Sequence, residues 1–155
     1  MSIERVKAYF GQYGMEERVL EFEVSSATVE LAAKALHCEP QRIAKTLSFM
    51  ADGRSILIVT AGDAKIDNQK YKAFFGVKAK MLSLEEVETL IGHAVGGVCP
   101  FAVNEGVEIY LDVSLKRFDT VFPACGSSNS AIELTISELE KYSRCTGWID
   151  VCKGY

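Results

Sequence analysis

Lys45-Thr46-Leu47-Ser48-Phe49-Met50-Ala51-Asp52-Gly53-Arg54-Ser55-Ile56-Leu57-Ile58-Val59-Thr60 decides the fold of this chain. Two largely apolar runs flank Asp52-Gly53, a dipeptide that tolerates the positive φ angles of a tight hairpin turn. The spacing predicts antiparallel strands over 45–50 and 55–60. Alternation puts Lys45, Leu47 and Phe49 on one face of the first strand. A lysine sharing an apolar face has two readings. Either it caps a sheet edge with its ammonium in water, or it projects into a cleft and holds a phosphate or carbonyl oxygen.

On the N-terminal side, Ile3, Val6, Tyr9 and Phe10 recur at helical spacing, and Gly11 and Gly14 end that run. Residues 19–24 alternate as a strand. Ser25 and Ser26 are cap-type residues ahead of an Ala- and Leu-rich helix over 28–37. Pro40 opens a short helical turn ending at Ala44. Beyond the hairpin, Ala61-Gly62-Asp63 ends the second strand. Asp67 caps a helix that runs to Phe75, with Gly76 as its stop. Residues 77–82 read as a short strand. Ser83-Leu84-Glu85-Glu86 forms a capping box for a helix ending near Ile91. Strands follow over 107–111, 120–122 and 132–135, and Ser137-Glu138-Leu139-Glu140 reads as a second capping box. The stretch 148–155 packs back as a strand or stays loose. Helices fall mostly before residue 92 and strands after it. The pattern predicts an α+β fold, a mixed sheet with helices on one side.

A length of 155 residues fits one domain, and 48% hydrophobic residues supply a sizeable core. No apolar run approaches the ~18 residues of a membrane span. The segment Met1-Ser2-Ile3-Glu4-Arg5-Val6-Lys7 is charged and amphipathic, unlike a signal peptide. The 5 cysteines are odd in number and contain no C-x-x-C pair, which argues against a disulfide framework and a zinc site. Reduced thiols in the cytoplasm follow. A net charge of −4 disfavours a protein that grips long nucleic acid. Lys65, Lys70, Lys72, Lys78 and Lys80 nevertheless crowd one stretch with Tyr71, Phe74 and Phe75. They form either a solvated helix face or a patch for a few phosphates of a nucleic-acid end. There is no Walker loop, no G-x-G-x-x-G and no metal-ligand cluster, so no cofactor or metal is expected.

Chemistry-bearing residues gather in two loops. In Val95-Gly96-Gly97-Val98-Cys99-Pro100-Phe101 the paired glycines lack a Cβ, so a ligand could approach their N–H groups closely. Such groups hold a developing oxyanion in ester hydrolysis. The plain alternative is a tight turn between packed elements. Cys99 and His93, six positions apart, are a candidate nucleophile and base; the alternative is a buried, inert thiol. Cys125-Gly126-Ser127-Ser128-Asn129-Ser130 is a second small, polar loop that either shapes a pocket or makes a turn.

These segments resemble, in order, the YbaK/ProX family of aminoacyl-tRNA deacylases, related to the editing insertion of bacterial prolyl-tRNA synthetase. The carriers are Ser26-Ala27, Leu31-Ala32-Ala33-Lys34-Ala35-Leu36, Ile43-Ala44-Lys45-Thr46-Leu47, Thr60-Ala61-Gly62-Asp63 with Ile66-Asp67, Gly92 to Phe101, and Ile132-Glu133-Leu134. The resemblance implies one editing domain over 1–155, with a mixed, twisted, partly barrel-like sheet and helices packed around it. It implies a cytoplasmic trans-editing hydrolase that cleaves the ester of a misacylated tRNA, tRNA(Pro) or a similar one. Lys45 matches the family's essential lysine, and with Gly96 and Gly97 forms the expected catalytic set. Thr46, Val98, Cys99, Pro100, Gly126, Ser127 and Ser128 are the expected substrate contacts. Lys65, Lys70 and Lys72 are candidates for the tRNA acceptor end, and an aminoacyl-tRNA synthetase is a further expected partner. Cys99 stands where many members have serine. The run Ser127 to Ala131 lacks the basic residue and the acidic residue that many members carry there. Two other functions stay open: a non-catalytic module that binds a tRNA end or a synthetase, and a cysteine hydrolase built on Cys99 and His93.

Overall fold

The computed structural model describes residues 2–155. At its centre the predicted hairpin forms from β2 (Ile43–Ala51) and β3 (Arg54–Ala61), in register Lys45↔Thr60 through Ala51↔Arg54. Asp52 and Gly53 adopt φ of 51° and 80°, the paired positive angles a two-residue turn demands. Strands from later in the chain flank the hairpin in parallel: β6 (Thr120–Pro123) beside β2, and β5 (Glu108–Asp112) beside β3. The edges are β8 (Leu134–Thr135) and β9 (Gly147–Ile149), giving a mixed, curled sheet in the order β8-β6-β2-β3-β5-β9. Two smaller ladders join β1 (Val19–Glu21) to β7 (Ser130–Ile132), and β4 (Lys65–Ile66) to β10 (Cys152–Lys153).

The helices are α1 (Ser2–Gly11), α2 (Val29–Leu36), α3 (Asn68–Phe75), α4 (Leu84–Glu86) and α5 (Ile136–Ser143). Phe10 of α1 meets Phe101 and Tyr142 edge-on, and Tyr71 of α3 packs on Phe49 of β2. Ala32 and Ala33 of α2 form a smaller cluster with Ile43 and Phe122. Ile56, Leu57, Ile58 and Val59 are all fully buried, so β3 is covered on both faces. That matches the α+β fold with helices packed around a mixed sheet that the resemblance implied, and not the one-sided packing read from the order of elements.

Other local expectations shift for identifiable reasons. Residues 77–82 form no strand; Met81 makes one bridge to Phe49. Thr28 itself caps α2 by accepting from Leu31 N, and Ser25 and Ser26 lie upstream in the loop. The short turn after Glu39 is Pro40–Arg42, and Ala44 already belongs to β2. The second capping box is Thr135 with Glu138, two residues before the expected Ser137. The strand expected over 132–135 breaks at Glu133, whose carboxylate accepts from Thr120 Oγ1 at 2.7 Å. Its flanks serve different ladders, β7 and β8. The helix from Ser83 leaves α geometry after Glu86 and finishes as a π-helical turn over Val87–Ile91. Gly92, at φ 97°, stops it and starts the glycine loop.

Candidate active site

The inner half of β2, the N-terminal end of α2, the segment around Met81 to Val87 and the glycine loop enclose one cavity of about 410 Å³. Lys45, Thr46 and Ser48 come from β2, Ser26 to Val29 from the approach to α2, and Val95, Gly96 and Val98 from the loop. The sequence segments singled out separately therefore meet at one opening. Much of the wall is apolar, including Ile43, Ala44, Leu82, Val87, Phe122 and Ala131.

Lys45 is half-buried, and its Nζ donates to Gly62 O at 3.4 Å. Desolvation by burial is the main influence on its pKa and lowers it. Cys152, Asp63 and Glu30 partly offset this, and Lys65 adds to it. Gly62 is held firmly: an added Cβ would meet Pro40 O and Val29 Cγ1, so only glycine fits between β3 and the α2 region. Asp63 beside it is gripped by both guanidinium nitrogens of Arg117, at 2.5 and 3.1 Å. The carbonyl that touches Lys45 thus stands on a packed, ion-paired corner.

The two glycines of the loop divide their roles. Gly96 has φ 92° and lines the cavity, with Ala27 and Ser128 in ordinary contact range of its open side. Among the described residues the N–H groups of Gly96 and Val98 have no hydrogen-bond partner. Gly97 N–H is spent on Ala94 O at 3.0 Å. A Cβ at Gly97 would lie 2.5 Å from Ser127 N and 2.6 Å from Gly126 C. Gly97 is therefore where the two small-residue loops touch, and it does not line the cavity. Gly126, at φ 93°, packs in turn on the backbone of Ser2.

Cys99 and Pro100 are buried behind the loop, away from the cavity. Cys99 Sγ lies 3.6 Å from His93 Nε2 and 3.7 Å from Phe101 O. Phe101 O also sits 2.7 Å from His93 Nε2. A carbonyl only accepts, so the proton of the neutral imidazole resides on Nε2. The nitrogen facing the thiol is then a donor and cannot serve as its base. Burial pushes the Cys99 thiol up to about 12 and His93 down. As placed, this pair has neither the access nor the protonation of a nucleophilic dyad, and Cys99 is not among the residues that line the cavity.

Ser127 and Ser128 occupy the loop facing Gly96 and Gly97. Ser127 Oγ bonds Asn129 and Ser130, and Ser128 O accepts from Ser26 N at 2.6 Å. Of the candidate tRNA-contacting lysines, Lys65 is exposed and close enough to Lys45 to influence its charge. Lys70 is committed to Asp150 at 3.2 Å and Cys152 O at 3.0 Å. Lys72 is exposed in the last turn of α3.

The sequence reading missed Arg5. Its guanidinium donates to Gly92 O at 3.1 Å and Ala102 O at 2.7 Å, tying together both feet of the glycine loop. The helical spacing of α1 marked its apolar face, but nothing in the pattern said where its one arginine would reach.

A half-buried cationic side chain and a loop whose N–H groups at Gly96 and Val98 have no partner among the described residues line a small, largely apolar cavity, a site suited to anchoring and polarising an ester. Residues 23–142 match the aminoacyl-tRNA editing domain, and the chain belongs to that family. It is 58% identical to the uncharacterized protein YwhH of Bacillus subtilis (strain 168), across 100% of this chain and 99% of that one. It is 33% identical to the proline–tRNA ligase of Leuconostoc citreum (strain KM20) over 86 residues, 55% of this chain and 15% of the ligase. A solved structure described as a candidate trans-editing enzyme for prolyl tRNA synthetase superposes with a TM-score of 0.88 at 28% identity, covering 99% of this chain and 98% of the other.

Proposed function

We propose that the protein is a free-standing aminoacyl-tRNA deacylase that hydrolyses the ester of misacylated tRNA, with tRNA(Pro) as the first candidate. The observation that carries this is the shared opening of Lys45 and Gly96 onto one cavity. An aminoacyl ester is already activated, so a positioned water suffices as nucleophile, with the neighbouring ribose hydroxyl available to orient it. Lys45 anchors the 3′-terminal phosphate or the ester. The unpaired N–H groups of Gly96 and Val98 face the oxygen on which negative charge develops. Water adds to the acyl carbon, the ribose oxygen leaves with a proton, and free acid and tRNA are the products. Acceptor-end recognition is confined to the few cations near the opening, Lys65 first among them. A synthetase that already holds the tRNA would supply the remaining affinity.

The test is a deacylation screen over mischarged tRNAs, with Ala, Cys and Ser on tRNA(Pro) first. Lys45→Ala is expected to lower the rate on the responsive substrate by about 100-fold or more, the scale of losing one transition-state contact, with an unchanged melting temperature. Wild-type levels of turnover in that variant would remove Lys45 from the mechanism. Tight tRNA binding with no turnover on any pair would instead favour a binding module.

A further inference from the structure

Lys45 is the one charged side chain lining the cavity; no Asp, Glu or His among the described residues contributes to its wall. The nearby carboxylates are otherwise placed. Asp63 is held by Arg117, and Glu30 is exposed on α2. Lys65 adds a second positive charge on the same side. The hydroxyls on the wall are mostly committed: Thr28 Oγ1 accepts from Leu31 N, Ser26 Oγ donates to Ser128 O, and Ser130 Oγ bonds Ser127. Thr46 differs. Its Oγ1 has no hydrogen-bond partner among the described residues and is closed off from solvent, so it does not open onto the cavity.

An aminoacyl ester carries an α-nitrogen. When protonated it would bring a second cation into a small, largely apolar space that already holds Lys45, and no carboxylate on the wall would pair with it. Burying like charges together is unfavourable, and each disfavours ionisation of the other. A neutral hydroxyl can bond an uncharged amine, hydroxyl or amide but cannot neutralise an ammonium.

We infer that this site acts on acyl-tRNA esters whose α-substituent is uncharged: the neutral-amine form of an aminoacyl ester and, as a further activity, α-hydroxyacyl esters of tRNA. The inference rests on the deacylase reading above. The bond broken is the same, with water adding to the acyl carbon and the ribose hydroxyl departing, so a hydroxy acid and tRNA result.

The experiment compares alanyl-tRNA with lactyl-tRNA made from it by nitrous acid deamination, and seryl-tRNA with its glyceryl counterpart. The intact protein is used at pH 6.5, and each rate is divided by the spontaneous hydrolysis of the same ester. An α-amine of ordinary pKa, about 7.7, is less than about a tenth neutral at that pH. The hydroxyacyl ester is therefore expected to react about tenfold faster relative to its own background. Placing a carboxylate on the wall with Ala131→Asp should reduce or reverse that ratio. Equal or faster turnover of the aminoacyl esters by the wild-type protein overturns the inference while leaving the deacylase reading in place. No turnover of either kind across the mischarged panel overturns both.

Discussion

At the scale of single residues, the site separates groups by what they touch. Lys45 and Thr46 line the cavity, whereas Cys99, though embedded in the glycine loop, is fully buried. Cys99→Ser is therefore expected to leave deacylation within about twofold of wild type. A serine hydroxyl there can still donate to Phe101 O, so the stability cost should be no more than about 1 kcal/mol. Loss of turnover with an intact fold, measured alongside thermal unfolding, would return the thiol to the mechanism. The lysine was legible as an oddity, a cation on an otherwise apolar strand face. Its corner was not. The grip of Arg117 on Asp63 spans 54 residues, and no local pattern encodes a contact that only tertiary folding creates. The same limit hid Arg5, whose partners lie 87 and 97 positions away.

At the scale of elements, the glycine loop is a spring with fixed feet. The π-turn ends it on one side, Asn104 Nδ2 caps the carbonyls of Thr89 and Leu90, and Arg5 bridges Gly92 and Ala102. Arg5→Leu keeps much of the apolar stem but frees both feet. Turnover is expected to fall about tenfold or more at little cost in secondary structure, because the free N–H groups of Gly96 and Val98 lose their fixed aim. Unaltered kcat would show that the loop holds its shape unaided. α5 offers a second case. Its Glu138 carboxylate is bound by Arg18 at 2.7 and 3.0 Å and by the capping box at Thr135. The Arg18 hydrogen bond is the main reason its pKa falls from 4.5 to about 2. A depressed carboxylate pKa stabilises the fold above the unfolded value, and that stability is lost as pH drops through the folded one. Resistance to thermal unfolding should therefore weaken as pH falls from about 4.5 to 2, and Glu138→Gln should flatten the profile in that window. An unchanged profile would mean that the surface pair contributes nothing measurable. The capping box illustrates what sequence patterns decide. Both Thr135-x-x-Glu138 and Ser137-x-x-Glu140 satisfy the rule, and the break at Glu133 settles which residue opens the helix.

At the scale of the whole molecule, the hairpin was readable from one dipeptide and two apolar runs, while its neighbours in the sheet were not. β5 and β6 join it from 50 or more residues later, and the order of a mixed sheet leaves no mark on any single strand. That arrangement reaches beyond the static picture to the time course of assembly. The most local pairing of the main sheet lies between two long-range ones. A turn of this kind closes on a scale of about 1–10 μs, whereas zipping parallel strands onto both of its edges must first meet the entropy of long loops. Rapid-mixing measurements over a range of denaturant should therefore give different signatures for the two regions. Gly53→Ala, strained at φ 80°, should mainly slow folding, whereas Leu111→Ala in β5 should mainly speed unfolding. The reverse assignment would mean that the distant strands gather first and the hairpin is drawn into place between them.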